Sequence, residues 1–474
     1  MKSFKKLLLV ILILPCVFLF NGCQSQDKAL YVTDIVQTET LGNKTTYTVY
    51  YSNGSTSLFT MDHGKDGQNG ADLTLASIKE YCQENSIDFD SFLQEYLTIE
   101  VTTPTVQDAT NKALLSAVTI WCEQTSEDFY HNKDLDLICG AGVIYKMGET
   151  YSYVLTNYHV VYYSGANTSD KIARKITLFQ YGTSQLAYTT QQKDAQGYPK
   201  SVYGYGAVDA TFVGGSLSYD LAVLRVRTDD LKYFNPHAKA ATIANNYAIG
   251  ETAIAVGNPA CEGFSVTSGI ISVESEEIEM EAADEATICT HRVLRMDTSI
   301  NGGNSGGGLF NINGHLIGIV NAKVTSPGID NIAYALPHDN VVAVADNLIY
   351  YFENTNTAAN PKKLVLGITT EAQNMHAEYD PETNRTSLKE DIVIVQMELG
   401  VASSIGLQLG DKLLSITIND TTYTLNKQYQ IGDLLLKIRP GDKFYFTVNR
   451  NGNLRDFGIT DSNGVLYSQL RDVL

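Results

Sequence analysis

Positive charge is scarce in this chain: 34 Lys and Arg stand against 53 Asp and Glu in 474 residues, a formal charge of −19. A field of that sign repels phosphate backbones and anionic headgroups, so no nucleic-acid partner is expected. Cysteine is sparse as well. Seven cysteines in a chain of this length exclude a disulfide-dense small scaffold, and neither a Cys-x-x-Cys pair nor a His/Cys cluster with zinc spacing occurs, so neither metal nor cofactor is expected. Also missing are an internal repeat of the solenoid kind and an apolar run long enough to cross a bilayer comfortably. What is present is 44% hydrophobic residues with 18% charged, enough for large buried cores. At about 150 residues per domain the length suggests three units.

Lys2, Lys5 and Lys6 precede an apolar run from Leu7 to Phe20, the pattern of a secretory leader. Leu19-Phe20-Asn21-Gly22-Cys23 then turns polar at Gln24. It resembles the lipobox of bacterial lipoproteins, with Phe20 where that pattern prefers Leu. The resemblance implies lipidation at Cys23 and an extracytoplasmic, membrane-anchored chain. Cleavage before Cys23 removes three lysines and no acid, so the remainder is more acidic still. Cys82, Cys122, Cys139, Cys261 and Cys289 remain, an odd number that demands at least one free thiol and leaves the pairing open.

Alternating stretches at Tyr31–Val36 and Tyr47–Tyr51, the turn signal Asn53-Gly54 and then Ser57–Thr60 predict a small β-meander. The polar run His63–Gly70 reads as a linker, and its likeness to a calcium loop fails at Gly64 and Leu73. Apolar residues from Ile78 to Tyr96 are spaced for two short helices. From Asp108 to Phe352 short runs rich in Val, Ile, Thr and Tyr alternate with Gly, as in barrels or sandwiches. Glu353–Pro361 is small and polar, a linker by composition, and a last unit of ordinary domain size follows.

Three segments carry chemistry, in this order: Leu155-Thr156-Asn157-Tyr158-His159-Val160, Ser218-Tyr219-Asp220-Leu221-Ala222, and Asn301-Gly302-Gly303-Asn304-Ser305-Gly306-Gly307-Gly308. Each alone is bland. Together they supply a weak nucleophile, an imidazole to take its proton, and a carboxylate to fix the imidazole's tautomer. Gly303 and Ser305 sit where a tight turn brings two backbone N–H groups beside a tetrahedral intermediate. Gly303–Gly307 also satisfies the Gly-x-Ser-x-Gly string of α/β-hydrolases, but the hairpin pattern from Leu309 to Val320 replaces the helix an elbow needs, and the order of the three residues is different. His315 reads as a hairpin residue and His338 as a loop residue after Pro337.

The order His, Asp, Ser and the three motifs resemble the trypsin-like serine proteases of the HtrA/Deg branch. Gly140–Ile144, Ala255–Pro259, Val266–Ser272 and Asp297–Asn301 add to the likeness. The resemblance implies a mainly β fold: a chymotrypsin-like pair of six-stranded barrels, with His159 as general base, Asp220 as its orienter, Ser305 as nucleophile, and Gly303 and Ser305 as oxyanion donors. Val365–Ile368, Gly406–Ile416 and Pro440–Gly452 look like a bacterial PDZ domain. Such a module takes extended C-terminal peptides, here with the backbone of Leu366, Gly367 and Ile368 on the carboxylate. The expected organisation is a leader at 1–22, a small α+β domain at 23–107, the protease domain at 108–352, a linker at 353–361 and the PDZ domain at 362–474.

Unfolded or exported proteins are the implied substrates, and family members are commonly homotrimers. Gly302 and Gly308 stand where the family often has Pro. Ser299, six before the nucleophile, offers no carboxylate for a basic side chain, so cleavage after small or aliphatic residues is expected. The acidic stretch Glu274–Glu281 falls in a region that regulates family members, although a solvated hairpin edge explains it as well. The rival of another class is a peptide-binding or chaperone protein that keeps the fold without catalysis.

Overall fold

The computed structural model describes residues 32–41, 44–51, 56–62, 83, 104–166, 170–323, 331–381 and 385–473. The leader, Cys23, Cys82 and the helices expected between 74 and 96 lie outside them, apart from residue 83. The chain divides into two compact units, Met1–Pro104 and Thr105–Leu474.

In the first unit β1 (Val32–Leu41), β2 (Lys44–Tyr51) and β3 (Thr56–Asp62) form an antiparallel meander in the order β1-β2-β3. The second opens with α1 (Val106–Ala113), started by a reciprocal cap in which Thr105 and Asp108 bond each other's backbone N–H.

Six strands then close a first barrel in the order β10-β11-β6-β5-β4-β7. They are β4 (Ala117–Glu127), β5 (Lys133–Met147), β6 (Tyr151–Thr156), β7 (Lys175–Gln180), β10 (Val208–Ser216) and β11 (Leu221–Arg227), with β8 (Ala187–Lys193) and β9 (Pro199–Tyr203) a separate hairpin. The second barrel is closed in the order β12-β13-β14-β17-β16-β15. Its members are β12 (Thr252–Gly257), β13 (Ser265–Glu281), β14 (Ile288–Met296), β15 (Gly308–Phe310), β16 (Leu316–Lys323) and β17 (Ala333–Pro337).

Strand alternation builds two kinds of core from one sequence pattern. Ala222 and Leu224 of β11 fill the first barrel, and Ala253 and Ala255 of β12 fill the second. Their neighbours Leu221, Val223, Ile254 and Val256 share a further cluster with residues of both barrels, so the barrels are packed face to face.

The eighteen-residue helix α2 (His338–Thr355) contradicts the reading of His338 as a loop residue and shows that residues 353–355 are not yet linker. Val341, Val344, Leu348 and Phe352 of α2 join the inter-barrel cluster, a spacing of three and four residues that makes one apolar face. Burial of that face explains the helix. The His338 ring is itself buried, edge-on to Tyr247 at 5.3 Å between centroids.

The stretch Glu274–Glu281 is the outer half of β13, paired with β14 from Ile271↔Met296 to Glu281↔Ile288. It is a hairpin edge, and Glu274 reaches Lys427 at 3.4 Å. After the barrels, β18 (Lys362–Leu364) pairs with the last strand, β25 (Leu470–Asp472), and between them lies a sheet ordered β19-β20-β21-β23-β24, of β19 (Ile368–Asp380), β20 (Arg385–Met397), β21 (Lys412–Ile418), β23 (Phe444–Arg450) and β24 (Asn453–Ile459), with β22 (Thr421–Thr424) paired to β21. Ile392, Ile416, Phe444 and Phe446 are buried there with Leu434 and Leu435 of the short helix α3 (Tyr429–Leu435). Among the described residues no helix is long and apolar enough to cross a membrane, and no group of His, Cys, Asp and Glu has the arrangement of a metal site.

Candidate active site

The motif around His159 is a strand that ends in a single helical turn. β6 delivers Thr156 and Asn157, and residues Tyr158–Val161 coil once, anchored by Val160 and Val161 in the first barrel's core. The flanking residues do structural work: Thr156 Oγ1 donates to the Ala141 carbonyl at 2.8 Å, and Asn157 Nδ2 donates to the Asp220 carbonyl at 2.9 Å.

Asp220 lies just before β11 with φ of +44°, a left-handed conformation that costs a non-glycine residue about 1 kcal/mol or more. It is buried, and its carboxylate is fully engaged. Oδ1 accepts the His159 backbone N–H at 2.9 Å, while Oδ2 accepts His159 Nδ1 at 2.7 Å and Asn321 Nδ2 at 2.6 Å. With Nδ1 as the donor, His159 keeps Nε2 free to accept a proton. Partial desolvation works against charging the imidazole, whose side chain stays 39% exposed, but the Asp220 carboxylate prevails through its charge and hydrogen bond, so the His159 pKa lies above the ordinary 6.5.

Ser305 comes from the second barrel, in the loop before β15. Its carbonyl accepts the Ala141 N–H of the first barrel at 2.9 Å, and the Gly306 and Gly307 turns lie close behind it. At Gly306, with φ of +83°, a Cβ would stand 2.2 Å from Thr156 Oγ1 and 2.4 Å from the Ala141 carbonyl, so only glycine allows the two barrels to meet here. Gly303, at φ of +96°, is as constrained: a Cβ would stand 2.0 Å from the Asn258 carbonyl. Its own carbonyl accepts the Asn258 N–H at 3.2 Å, and that of Gly302 accepts the Ala260 N–H at 2.8 Å. Because the peptide is planar and trans, fixing the Gly302 carbonyl fixes the opposite direction for the Gly303 N–H.

The Ser305 hydroxyl donates to the Asn321 carbonyl at 3.3 Å, and among the described residues no hydrogen bond joins it to His159. Asn321 therefore touches two members of the trio at once, with its side chain on Asp220 and its backbone carbonyl on Ser305. Nothing in the run Ile319-Val320-Asn321-Ala322 marks it in the sequence. His291, on β14, is a second unflagged residue: it is buried, burial holds its pKa below the ordinary value, and the charges of Asp220 and His159 act on it. Among the described residues one bridge, Cys139–Cys261, links the barrels, and Cys122 and Cys289 are free and buried.

Residues 140–319 match the family described as trypsin-like peptidase domain. A serine protease Do-like HtrA of Lactococcus lactis subsp. cremoris is 29% identical over 301 residues, covering 61% of this chain and 63% of that protein. The Bacillus subtilis serine protease Do-like HtrB is 32% identical over 213 residues, 44% of this chain and 38% of that one. A solved structure of the HtrA-type protease AlgW with a decapeptide aligns with a TM-score of 0.44 and 22% identity, over 74% of this chain and 96% of that one. The chain spans less than two thirds of the length of these two curated relatives. Residues 140–319 thus match a trypsin-like peptidase domain, and the chain is similar over that region to serine proteases of the HtrA kind.

Proposed function

We propose that this chain is a serine endopeptidase of HtrA/Deg type, with His159 as general base, Asp220 as its orienter and Ser305 as nucleophile. The observation that carries the reading is the Asp220 carboxylate bonded to His159 Nδ1 at 2.7 Å, beside a serine loop that the second barrel presents at the same seam. Attack requires the Ser305 hydroxyl to leave the Asn321 carbonyl and turn to His159 Nε2, which takes its proton as Oγ adds to the scissile carbonyl. The oxyanion then faces the N–H groups of Gly303 and Ser305. His159 returns the proton to the leaving amine, and water hydrolyses the acyl-enzyme.

The last unit reads as a PDZ domain. Support comes from a cleft of about 960 Å³ whose lining includes Leu366, Gly367 and Ile368, Tyr429 and Asp433 of α3, and the barrel residue Arg292; a groove between a strand and a helix is where such a module takes a C-terminal peptide. With lipidation at Cys23, the enzyme is extracytoplasmic and anchored to the cell membrane, where it degrades misfolded or exported proteins, and the habit of the family favours a homo-oligomer. Purified protein should cleave casein and label with a fluorophosphonate at Ser305, and Ser305→Ala should abolish both. Undiminished casein cleavage by that variant refutes the assignment; a wild type that never labels favours the non-catalytic peptide binder.

A further inference from the structure

We propose that the Cys139–Cys261 bridge is a solvent-accessible thiol-exchange site whose redox state sets the geometry of the nucleophile loop. The inference rests on the peptidase reading above. The two sulfurs come from different barrels: Cys139 lies on β5, and Cys261 ends the short turn Pro259–Cys261 that follows β12. Cys261 is exposed and Cys139 partly so, which leaves the bridge open to an external thiol. Cys122 and Cys289 do not compete, since both are buried and burial pushes the Cys122 thiol up to about 12.

Placement gives the bridge its leverage. Ala260 and Cys261 are consecutive non-glycine residues in left-handed conformation, at φ of 56° and 63°. Such a pair persists only where its surroundings over-determine it. The same turn holds the loop before Ser305, because Ala260 N–H grips the Gly302 carbonyl at 2.8 Å and Asn258 N–H grips the Gly303 carbonyl at 3.2 Å. On the other side, two residues from Cys139, Ala141 N–H grips the Ser305 carbonyl at 2.9 Å. The bridge thus ties together the two backbone segments that clamp Gly302, Gly303 and Ser305.

In the exchange, one thiolate of a dithiol reductant attacks the Cys261 sulfur and the Cys139 sulfur leaves as a thiolate. The second thiol of the reductant then displaces Cys261, so two electrons pass to the protein and the reductant ends as its own disulfide. Released, Ala260 and Cys261 relax toward negative φ, the Gly302 carbonyl loses its donor, and the Gly302–Gly303 peptide is free to rotate. The Gly303 N–H then no longer points at one place. The loss belongs in kcat, because that donor acts on the transition state rather than on the bound substrate.

The test uses the full chain, poised with dithiothreitol and its oxidised form, with the bridge scored by alkylation and mass spectrometry and turnover measured on casein or a fluorogenic peptide. Reduction should lower kcat by roughly 10²-fold, the scale of one lost oxyanion donor, with KM little changed and full recovery on reoxidation. A verified dithiol form that turns over as fast as the oxidised one overturns the proposal. So does a reduced form that loses its near-ultraviolet circular dichroism, since the bridge would then hold the fold and not the loop. An oxidised protein that neither turns over nor labels at Ser305 instead sinks the peptidase reading. A paired comparison isolates the strain: Cys139→Ala with Cys261→Gly should keep clearly more activity than Cys139→Ala with Cys261→Ala, because glycine accepts φ of 63° without a bridge. Equal losses in the two would count against the clamp.

Discussion

The two barrels share strand number and closure, yet they hold their parts of the site by different means. The first barrel uses side chains. Asp220 receives three donors, and Thr156 and Asn157 tie the His159 turn to β5 and to the Asp220 backbone. The second barrel uses backbone: Gly302, Gly303 and Ser305 are held through their carbonyls by the N–H groups of Ala260, Asn258 and Ala141. One half of the site therefore depends on which atoms a side chain carries, and the other on where the main chain runs. That difference predicts which kinds of substitution each half tolerates.

The largest effect should come from the side-chain half. Asp220→Asn keeps the shape but offers His159 an amide, which selects the wrong tautomer and removes the charge that stabilises imidazolium; a loss of about 10⁴-fold in kcat is expected. The pH profile sharpens the point. His159 must be neutral to act as base, and its pKa lies above 6.5, so the rising limb of kcat/KM should have its midpoint above that value. In the Asn variant the carboxylate charge that raises the pKa is gone, so any residual limb should move to lower pH. A limb that stays in place would show that Asp220 does not govern His159. Next in size is the backbone half, where one methyl group should suffice. Gly303→Ala places a Cβ against the Asn258 carbonyl at a φ alanine avoids, and displacing that peptide should cost about 10²- to 10³-fold in kcat. Activity within a factor of two of wild type would break the contrast.

Asn321 spans both halves and its effect should be smaller. Asn321→Ala removes a charge-assisted bond to Asp220 while leaving the carbonyl that holds Ser305. At about 1.5–3 kcal/mol for such a bond, kcat should fall roughly tenfold to a hundredfold. A positioning role requires the midpoint of the rising limb to move as well; an unchanged midpoint with only a lower melting temperature would make Asn321 structural.

How far the sequence discloses this site follows the same division. The mainly β fold with trypsin-like barrels is legible because short Val/Ile/Thr/Tyr runs have a period of two, and the pairing of His159 with Asp220 is legible because the proton transfer proposed for Ser305 admits few residue types. Asn321 is not, since a polar residue at the end of an apolar strand is ordinary until its partner is known. The bridge is not, because its cysteines are 122 residues apart and only the packed barrels bring them together. The helix α2 could have been found: Val341, Val344, Leu348 and Phe352 have its period, masked by Pro337 and by the β-rich run before it. The turn that grips the nucleophile loop carries no signal, because nothing in Pro259-Ala260-Cys261 announces two left-handed residues in succession.

The smallest effect tests the backbone half from the opposite direction. Gly302 has open space around the position of a Cβ and, unlike Gly303, is not held at positive φ. Its freedom contributes nothing to the native loop and adds entropy to the unfolded chain. Gly302→Ala should therefore stabilise the protein by about 0.4–1 kcal/mol, read as a higher denaturant midpoint at unchanged slope, with kcat within about twofold of wild type. Adjacent glycines would then give opposite results, one intolerant of a methyl and the other improved by it. If Gly302→Ala also lost activity on the scale expected of Gly303→Ala, mobility in the loop, rather than one fixed peptide, would be what the second barrel contributes.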